Sequence, residues 1–310
     1  MHSILFHGRE TFAWKANLHA HSTTSDGRYA PEELIALYAE AGYDVLAFTD
    51  HKKTNPVSTY SGRGMSLISG IEMHPAGPRS ILWHLLALGV PEDFDGADFP
   101  DASAALTAAK KAGALAYVAH PYWCGLTPAE LDELCEFDGL EVSNSACRYN
   151  SKNDSSAYWD ALLDAGRRLN AIAVDDTHRN WDLFHNWTQI IAPENTPEAM
   201  LDALKQGNFY ATQGPEFTRL SYIDGIFEAE FSPAEAVMIA SEKHWGHCCC
   251  VEGRRYGRVM PDEVSEVTSI HFERRRDLAS EVYFRVIIRD ARGRYAWTNP
   301  FYLDETRTGE

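Results

Sequence analysis

The chain has no apolar run approaching the roughly 18 residues that a membrane-spanning helix needs. Its opening, MHSILFHGRETF, holds a three-residue apolar stretch and no small-residue cleavage site. It does not read as a secretory signal, so a cytoplasmic protein with no membrane partner is expected. Basic charge is scarce: 28 Lys and Arg stand against 45 Asp and Glu, a formal net charge of −17. That balance repels polyanions at long range and leaves no basic footprint, which argues against nucleic acid as a partner. It does not exclude a small anionic substrate, because a cluster of metal cations reverses the local field. Cysteine is unorganised. Cys124, Cys135, Cys147 and the run Cys248-Cys249-Cys250 show no C-x2-C spacing and make a poor disulfide framework, as expected of thiols in a reducing compartment. No G-x-S-x-G elbow, internal repeat or low-complexity linker is present.

What is present is an ordered alternation of short apolar runs with amphipathic segments from Ala16 to Phe209. ANLHA reads as a strand. PEELIALYAEAGY follows as a helix, with Pro31 in its first turn, Glu32 and Glu33 at its positive end and Gly42 at its close. DVLAFTDH, SLISGIEMH and ILWHLLALGV read as strands, the last pairing with its neighbour. DASAALTAAKKAG is a helix stopped at Gly113, and ALAYVAHP is the strand after it. TPAELDELCEF carries a capping box, Thr127 with Glu130, and Pro128 at the first helical position. GLEVSN, the helix SAYWDALLDAGRR, the strand NAIAVDDTH and the helix TPEAMLDALKQG complete the series. Such alternation predicts an α/β fold whose parallel sheet is open or closed into a barrel, with functional groups at the carboxyl ends of the strands.

After GNFYATQGPEF the texture changes. SIHFERR, VYFRVIIRD and YAWTNPFYL alternate without helical stretches and predict a small antiparallel β-sandwich. A boundary near Gly214-Pro215 divides the chain into residues 1–215 and 216–310.

The strand ends of the first region carry the chemistry. They bear His19 and His21, Asp50-His51, Glu72, His84, His120, and Asp176 with His178, and Asp26 lies in the loop after the first strand. Of thirteen histidines, seven lie at or beside predicted strands of this region. A single strand-end imidazole is usually a structural one, but several sets converging on one mouth point to a metal site. Imidazole and carboxylate together suit zinc, manganese or iron. Nine candidate ligands exceed what one catalytic zinc takes, so two or three ions are expected, with hydrolysis as the reaction class.

The ordered series H-A-H at 19–21, S-D-G at 25–27, T-D-H at 49–51, G-I-E at 70–72, His84, H-P at 120–121 and D-T-H at 176–178 resembles the PHP family, named for polymerase and histidinol phosphatase domains. The resemblance implies a distorted seven-stranded (β/α) barrel with a trinuclear metal site. It assigns His19, His21, Glu72 and Asp176 to a first metal. Glu72 would bridge to a second metal held by His84 and His120, and Asp26, His51 and His178 would hold the third. Some relatives have histidine where Asp26 stands. GNFYATQGPEF and AWTNPFYL resemble members with a C-terminal β-sandwich, a branch that includes hydrolases of carbamates and other non-phosphate esters.

Around this set, Asp50 is expected to orient a ligand imidazole, and Glu141 to support a ligand or relay a proton. His74 departs from the nine-residue set and is read as spare. Lys52, Arg148, Arg179 and His185 are cations near the site loops, read as surface charges or phosphate contacts. The loop NWDLFHNW either walls a substrate pocket or packs on the barrel. His244 and His247, beside the cysteine run, are a weak candidate for another small metal site. The leading expectation is a phosphoesterase acting on a small substrate through a metal-bridging hydroxide, with Glu72, Asp176 and His178 central. The alternatives are a carboxylic or carbamate ester hydrolase on the same site, and a metal-holding scaffold whose β region binds a partner or glycan.

Overall fold

Alternating side chains around a His7-Gly8 turn start the chain as a hairpin, β1 (His2–Phe6) against β2 (Arg9–Asn17). Both turn residues have positive φ, 47° and 79°, the backbone that a two-residue turn needs to match strand twist. β1 is additional to the predicted strand series. The structure, a computed structural model, describes residues 1–96, 98–251, 266–273 and 282–304.

From β2 the sheet curves through β3 (Val45–Phe48), β4 (Ser66–Met73), β5 (Leu85–Leu88), β6 (Leu115–Val118), β7 (Gly139–Asn144) and β8 (Asn170–Val174). Just past β8, Thr177 bridges to Ala20 just past β2, so the sheet returns to its start as a barrel-like surface. Pairing is parallel from β2 to β4 and from β6 to β8, but β5 runs antiparallel to both its neighbours. The sheet is therefore mixed rather than wholly parallel. Residues 74–84, between β4 and β5, contain a single 3-10 turn, and a parallel return needs a longer crossover. β9 (Trp187–Ala192) is antiparallel to β2 and is followed by β10 (Phe209–Thr212).

The helices α1 (Pro31–Glu40), α2 (Ala102–Lys111), α3 (Pro121–Cys124), α4 (Pro128–Asp132), α5 (Ser156–Asp164) and α6 (Pro197–Lys205) follow the sequence pattern, α3 excepted. Leu34, Ile35 and Tyr38 form the buried face of α1. Thr127 and Glu130 close the expected capping box on α4.

Among the described residues, the last third is all β: β11 (Phe217–Ile223), β12 (Ile226–Ala234), β13 (Ala236–Ser241), β14 (Gly246–Cys250), β15 (Val267–Glu273), β16 (Tyr283–Arg289) and β17 (Tyr295–Thr298). Arg274 and Arg275, the end of the SIHFERR segment, lie outside the described residues. These strands pair antiparallel with one another and also reach back, β11 parallel to β1 and β17 antiparallel to β10. Arg285 of β16 is buried, its Nε 3.0 Å from Asp160 of α5 and its guanidinium over the Trp159 ring at 4.8 Å.

Candidate metal centre

Beyond β2 the chain stays extended, so His19 and His21 point the same way, ring centroids 4.9 Å apart and both fully buried. Crossed backbone bonds tie this segment to the end of β8: Asp176 N–H donates to the His19 carbonyl and His21 N–H to that of Thr177, each at 3.0 Å. The Asn17 side chain adds a clamp, donating to the His19 carbonyl and accepting from Asp175 N–H, both 2.9 Å. Two candidate ligands sit at positive φ, Asp176 at 53° and His120 at 27°. Backbone strain of this kind collects at functional sites.

The first group is His19, His21, Glu72 and Asp176. The two Nε2 atoms are 2.9 Å apart, each lies 3.2 Å from Asp176 Oδ1, and they are 3.6 and 3.5 Å from Glu72 Oε2. A tetrahedral ion with bonds of about 2.1 Å has ligand atoms about 3.4 Å apart. Asp176 Oδ1 and His21 Nδ1 are buried without a hydrogen-bond partner, and Glu72 Oε2 meets only imidazole nitrogens, the shortest contact being His51 Nδ1 at 2.7 Å. Orphaned acceptors between imidazole nitrogens are costly unless a cation joins them, so the donor set fits a metal.

Glu72 divides its oxygens. Oε1 faces the other way, 2.8 Å from His84 Nδ1 and 3.5 Å from His120 Nε2. Asp176 Oδ2 is 3.7 Å from that same His120 nitrogen. Cys124 Sγ, 3.4 Å from His120 Nδ1, occupies the far side of the ring. A third group forms around Asp26 Oδ1, with His51 Nε2 at 3.4 Å, His178 Nε2 at 3.5 Å and His21 Nδ1 at 3.9 Å. His178 Nδ1–H donates to the Asp176 carbonyl at 2.9 Å, which leaves Nε2 free to face Asp26. All nine predicted ligands thus meet at one mouth. His74 joins them, its Nε2 2.7 Å from His51 Nδ1 and 3.5 Å from Glu72 Oε2. Its spacing allows this, since a residue two past Glu72 shares its face, and the reading of His74 as spare gives way to a place at the mouth.

Burial opposes charge on His19, yet Asp176, Glu141 and Glu72 together hold its pKa well above the ordinary range. Burial also opposes charge on His51, but hydrogen bonds to Asp26 and Glu72 raise it to about 10. His21 goes the other way: burial, reinforced by repulsion from His178 and His19, lowers it to about 4. Burial alone would push Glu72 and Asp176 up. The imidazoles around them, His84 and His19 for Glu72 and His19 and His178 for Asp176, hold both well below the carboxylate range. Without metal, protons on histidine neutralise this cluster, and bound cations would displace them.

Glu141 supports the cluster from below. Oε1 is 2.6 Å from His19 Nδ1, and Oε2 accepts from His120 N–H and the Asn144 amide, both at 2.8 Å. Asp50 serves the loop bearing Asp26 rather than an imidazole, accepting from Ser22 N–H at 2.8 Å and hydroxyl at 2.7 Å, and from Asn55 at 2.6 Å. Asp175 carries a role that the sequence reading left out. Its buried carboxylate, raised to about 6 by burial, gathers the N–H groups of Phe184, His185 and Asn186 and the Tyr38 hydroxyl. The doublet Asp175-Asp176 was the available signal, because neighbouring residues point to opposite sides.

Arg148 donates to the Ser145 and Trp181 carbonyls, at 2.9 and 2.6 Å, and so braces a loop. Lys52 is exposed, 3.8 Å from Asp98. His185 is exposed and does not line the cavity, whereas Arg179 does. That cavity, about 480 Å³, holds Asp26, His51, Glu72, His84, His120, Asp176 and His178 in its wall. Among the described residues, every convergent group of ligand atoms lies at this mouth, and none involves His244, His247 or the cysteine run. No described helix is long and apolar enough to cross a membrane.

No protein-family model and no curated protein matches the sequence. Solved structures do. A two-domain protein from Bacteroides vulgatus, containing a predicted PHP-like metal-dependent phosphoesterase, overlays with a TM-score of 0.51 at 15% identity, covering 90% of each chain. An amidohydrolase from Chromobacterium violaceum overlays at 0.42 and 18% identity, covering 53% of this chain and 87% of its own. A lesion-specific endonuclease from Pyrococcus furiosus overlays at 0.44 and 18% identity, covering 63% and 56%. The first likeness extends over nearly the whole chain and is one of fold. The chain therefore resembles PHP-like proteins in architecture as well as in its ordered motifs.

Proposed function

We propose that this chain is a metal-dependent hydrolase that cleaves small phosphate esters at a centre of two or three divalent ions, with zinc, manganese and iron suited to its donors. The observation that carries this reading is the divided carboxylate of Glu72, one oxygen toward His19 and His21 and the other toward His84 and His120. When bound, such ions polarise a phosphoryl oxygen and lower the pKa of water.

The chain's own residues supply the positioning. Glu141 fixes the His19 tautomer by accepting from its Nδ1–H, and the Asp176 carbonyl does the same for His178. Asp50 holds the loop that delivers Asp26. Arg179, exposed in the cavity wall, meets an anionic group of the substrate. We read residues 1–215 as the catalytic barrel and 216–310 as a β-sandwich that braces it.

The test is phosphate release from p-nitrophenyl phosphate by metal-loaded protein, beside acetate release from p-nitrophenyl acetate and metal content by elemental analysis. Two or three ions per chain, preference for the phosphate ester and competitive inhibition by inorganic phosphate are expected. Preference for the acetate would replace this reading with a carboxylic ester hydrolase. Fewer than two ions would remove the multinuclear centre.

A further inference from the structure

The cavity wall contains a feature that ester hydrolysis alone does not require. Trp123 of α3, Tyr149 of the turn after β7 and Trp181 of the loop after β8 come from three separate segments, yet all line the cavity that holds the ligand cluster. Trp123 meets the candidate ligands edge-on, its ring centroid 5.1 Å from His120 and 5.7 Å from His84. Its Nε1–H donates to the Tyr149 hydroxyl at 3.0 Å. Tyr149 and Trp181 then lie 24° from parallel with centroids 6.5 Å apart. The three rings form one wall running outward from the metal-binding histidines.

Two of these rings are left in solvent, Tyr149 61% and Trp181 55% exposed. Large rings are normally buried, so such exposure is informative when the backbone beneath is held. Here it is held. The Trp181 carbonyl accepts from Arg148 at 2.6 Å, and the Asp182 carbonyl accepts from the Ser145 hydroxyl at 2.6 Å. The Asp182 carboxylate takes the N–H groups of His178 and Arg179 at 3.0 and 2.8 Å. The other tryptophan of this segment, Trp187, is buried beneath Lys15, 4.4 Å above its ring. One ring of the loop thus packs and the other is presented to the cavity.

We propose, building on the phosphoesterase reading above, that the substrate carries its phosphate on a flat aromatic ring system, which stacks on the wall of Trp123, Tyr149 and Trp181. A ring seated there places its ester oxygen beside His84 and His120, where the wall begins. The cavity volume of about 480 Å³ is that of a small-molecule site. A quaternary ammonium is the rival ligand for an aromatic wall, and the neighbouring Arg179 guanidinium disfavours it.

The experiment compares kcat/KM for 1-naphthyl phosphate, ethyl phosphate and phosphocholine with the metal-loaded full chain. Isothermal titration with 1-naphthylphosphonate, which is not hydrolysed, reads binding without turnover. In W181A and Y149A the naphthyl-to-ethyl ratio falls about tenfold, mainly through KM for the naphthyl ester. W181F restores most of it, metal content stays unchanged, and W245A, a change at an exposed tryptophan of the β region, leaves the ratio alone. A ratio indifferent to both wall substitutions, or a preference for phosphocholine over the naphthyl ester, overturns the proposal. If neither phosphate ester is cleaved while W181A still weakens phosphonate binding about tenfold, the wall stands and the phosphoesterase reading falls. If the esters are cleaved and phosphonate binding ignores W181A, the wall falls and the phosphoesterase reading stands.

Discussion

The floor of the barrel mouth and the core of the β region are equally buried and chemically opposite. In the β region Phe227, Phe272 and Phe284 pack with Phe301 at centroid spacings of 5.0 to 5.4 Å. These rings find apolar partners in one another, which is how burial stabilises a fold. At the mouth, His19, His21, Glu72 and Asp176 are buried just as deeply, yet His21 Nδ1 and Asp176 Oδ1 lack a hydrogen-bond partner. Such burial costs stability until something satisfies those atoms. At the mouth such atoms are crowded against one another between imidazoles, whereas the phenylalanine cluster of the β region contains no polar side-chain atom.

That contrast can be broken at either end. Replacing Glu72 with Gln removes the carboxylate shared by two ligand groups. Hydrolysis should fall to background and bound metal should drop below one ion per chain, and full metal content by elemental analysis would contradict the bridging role. In the other region, Phe284→Ala should cost about 3–5 kcal/mol in urea unfolding, while the folded fraction keeps its metal content. A change in metal affinity there would show that the two regions are not separable.

Glu141→Gln should weaken metal binding roughly 10- to 100-fold, because it disturbs the orientation and basicity of His19 without removing a ligand. Titration with a competing chelator measures this, and unchanged affinity would mean that the 2.6 Å contact is incidental.

The last prediction concerns metal-free protein. His51 has its pKa raised to about 10, so its contribution is full below the ordinary value of 6.5 and is lost as pH rises toward 10. Glu72 and Asp176 are depressed, so their contribution is present above the ordinary carboxylate range and is lost in acid. The melting temperature of metal-free protein should therefore decline between pH 7 and 10. Added zinc should raise it more at pH 9 than at pH 6, since fewer protons then compete for the imidazoles. A flat alkaline profile would sink the idea that protonated histidines stand in for cations.

Much of the mouth was legible because strand periodicity is rigid. Residues two apart share a face, so His19 and His21 had to converge, and strand ends had to gather the other ligands. The direction of β5 and the hairpin of β1 were harder, since the length of a connection and the partner of an edge strand do not show in local pattern. His74 obeyed the same period-two rule as the other ligands and was passed over because the motif series gave it no place. The two tryptophans flanking Leu183 and Phe184 differ only in tertiary surroundings. Trp187 is fixed inward by the pairing of β9 with β2 and β10, and nothing local to Trp181 announces that it stays outside. Arg148 read as a free cation because backbone carbonyls leave no trace in a sequence.

The pairing of β2 with β9, and of β1 with β11, also sets a timetable. As the chain leaves a ribosome, the first hairpin emerges long before either partner, and closing such distant contacts is slow. The candidate ligands are spread over the same interval, from His19 to His178. An ion therefore cannot seed this fold the way it seeds a small metal-nucleated finger, whose ligands lie within a few turns of one another. Nascent chains stalled before β8 should be neither closed nor metal-competent, because they lack Thr177, which bridges to Ala20, and the candidate ligands Asp176 and His178. On the proposed reading, metal would enter a barrel that has already shut.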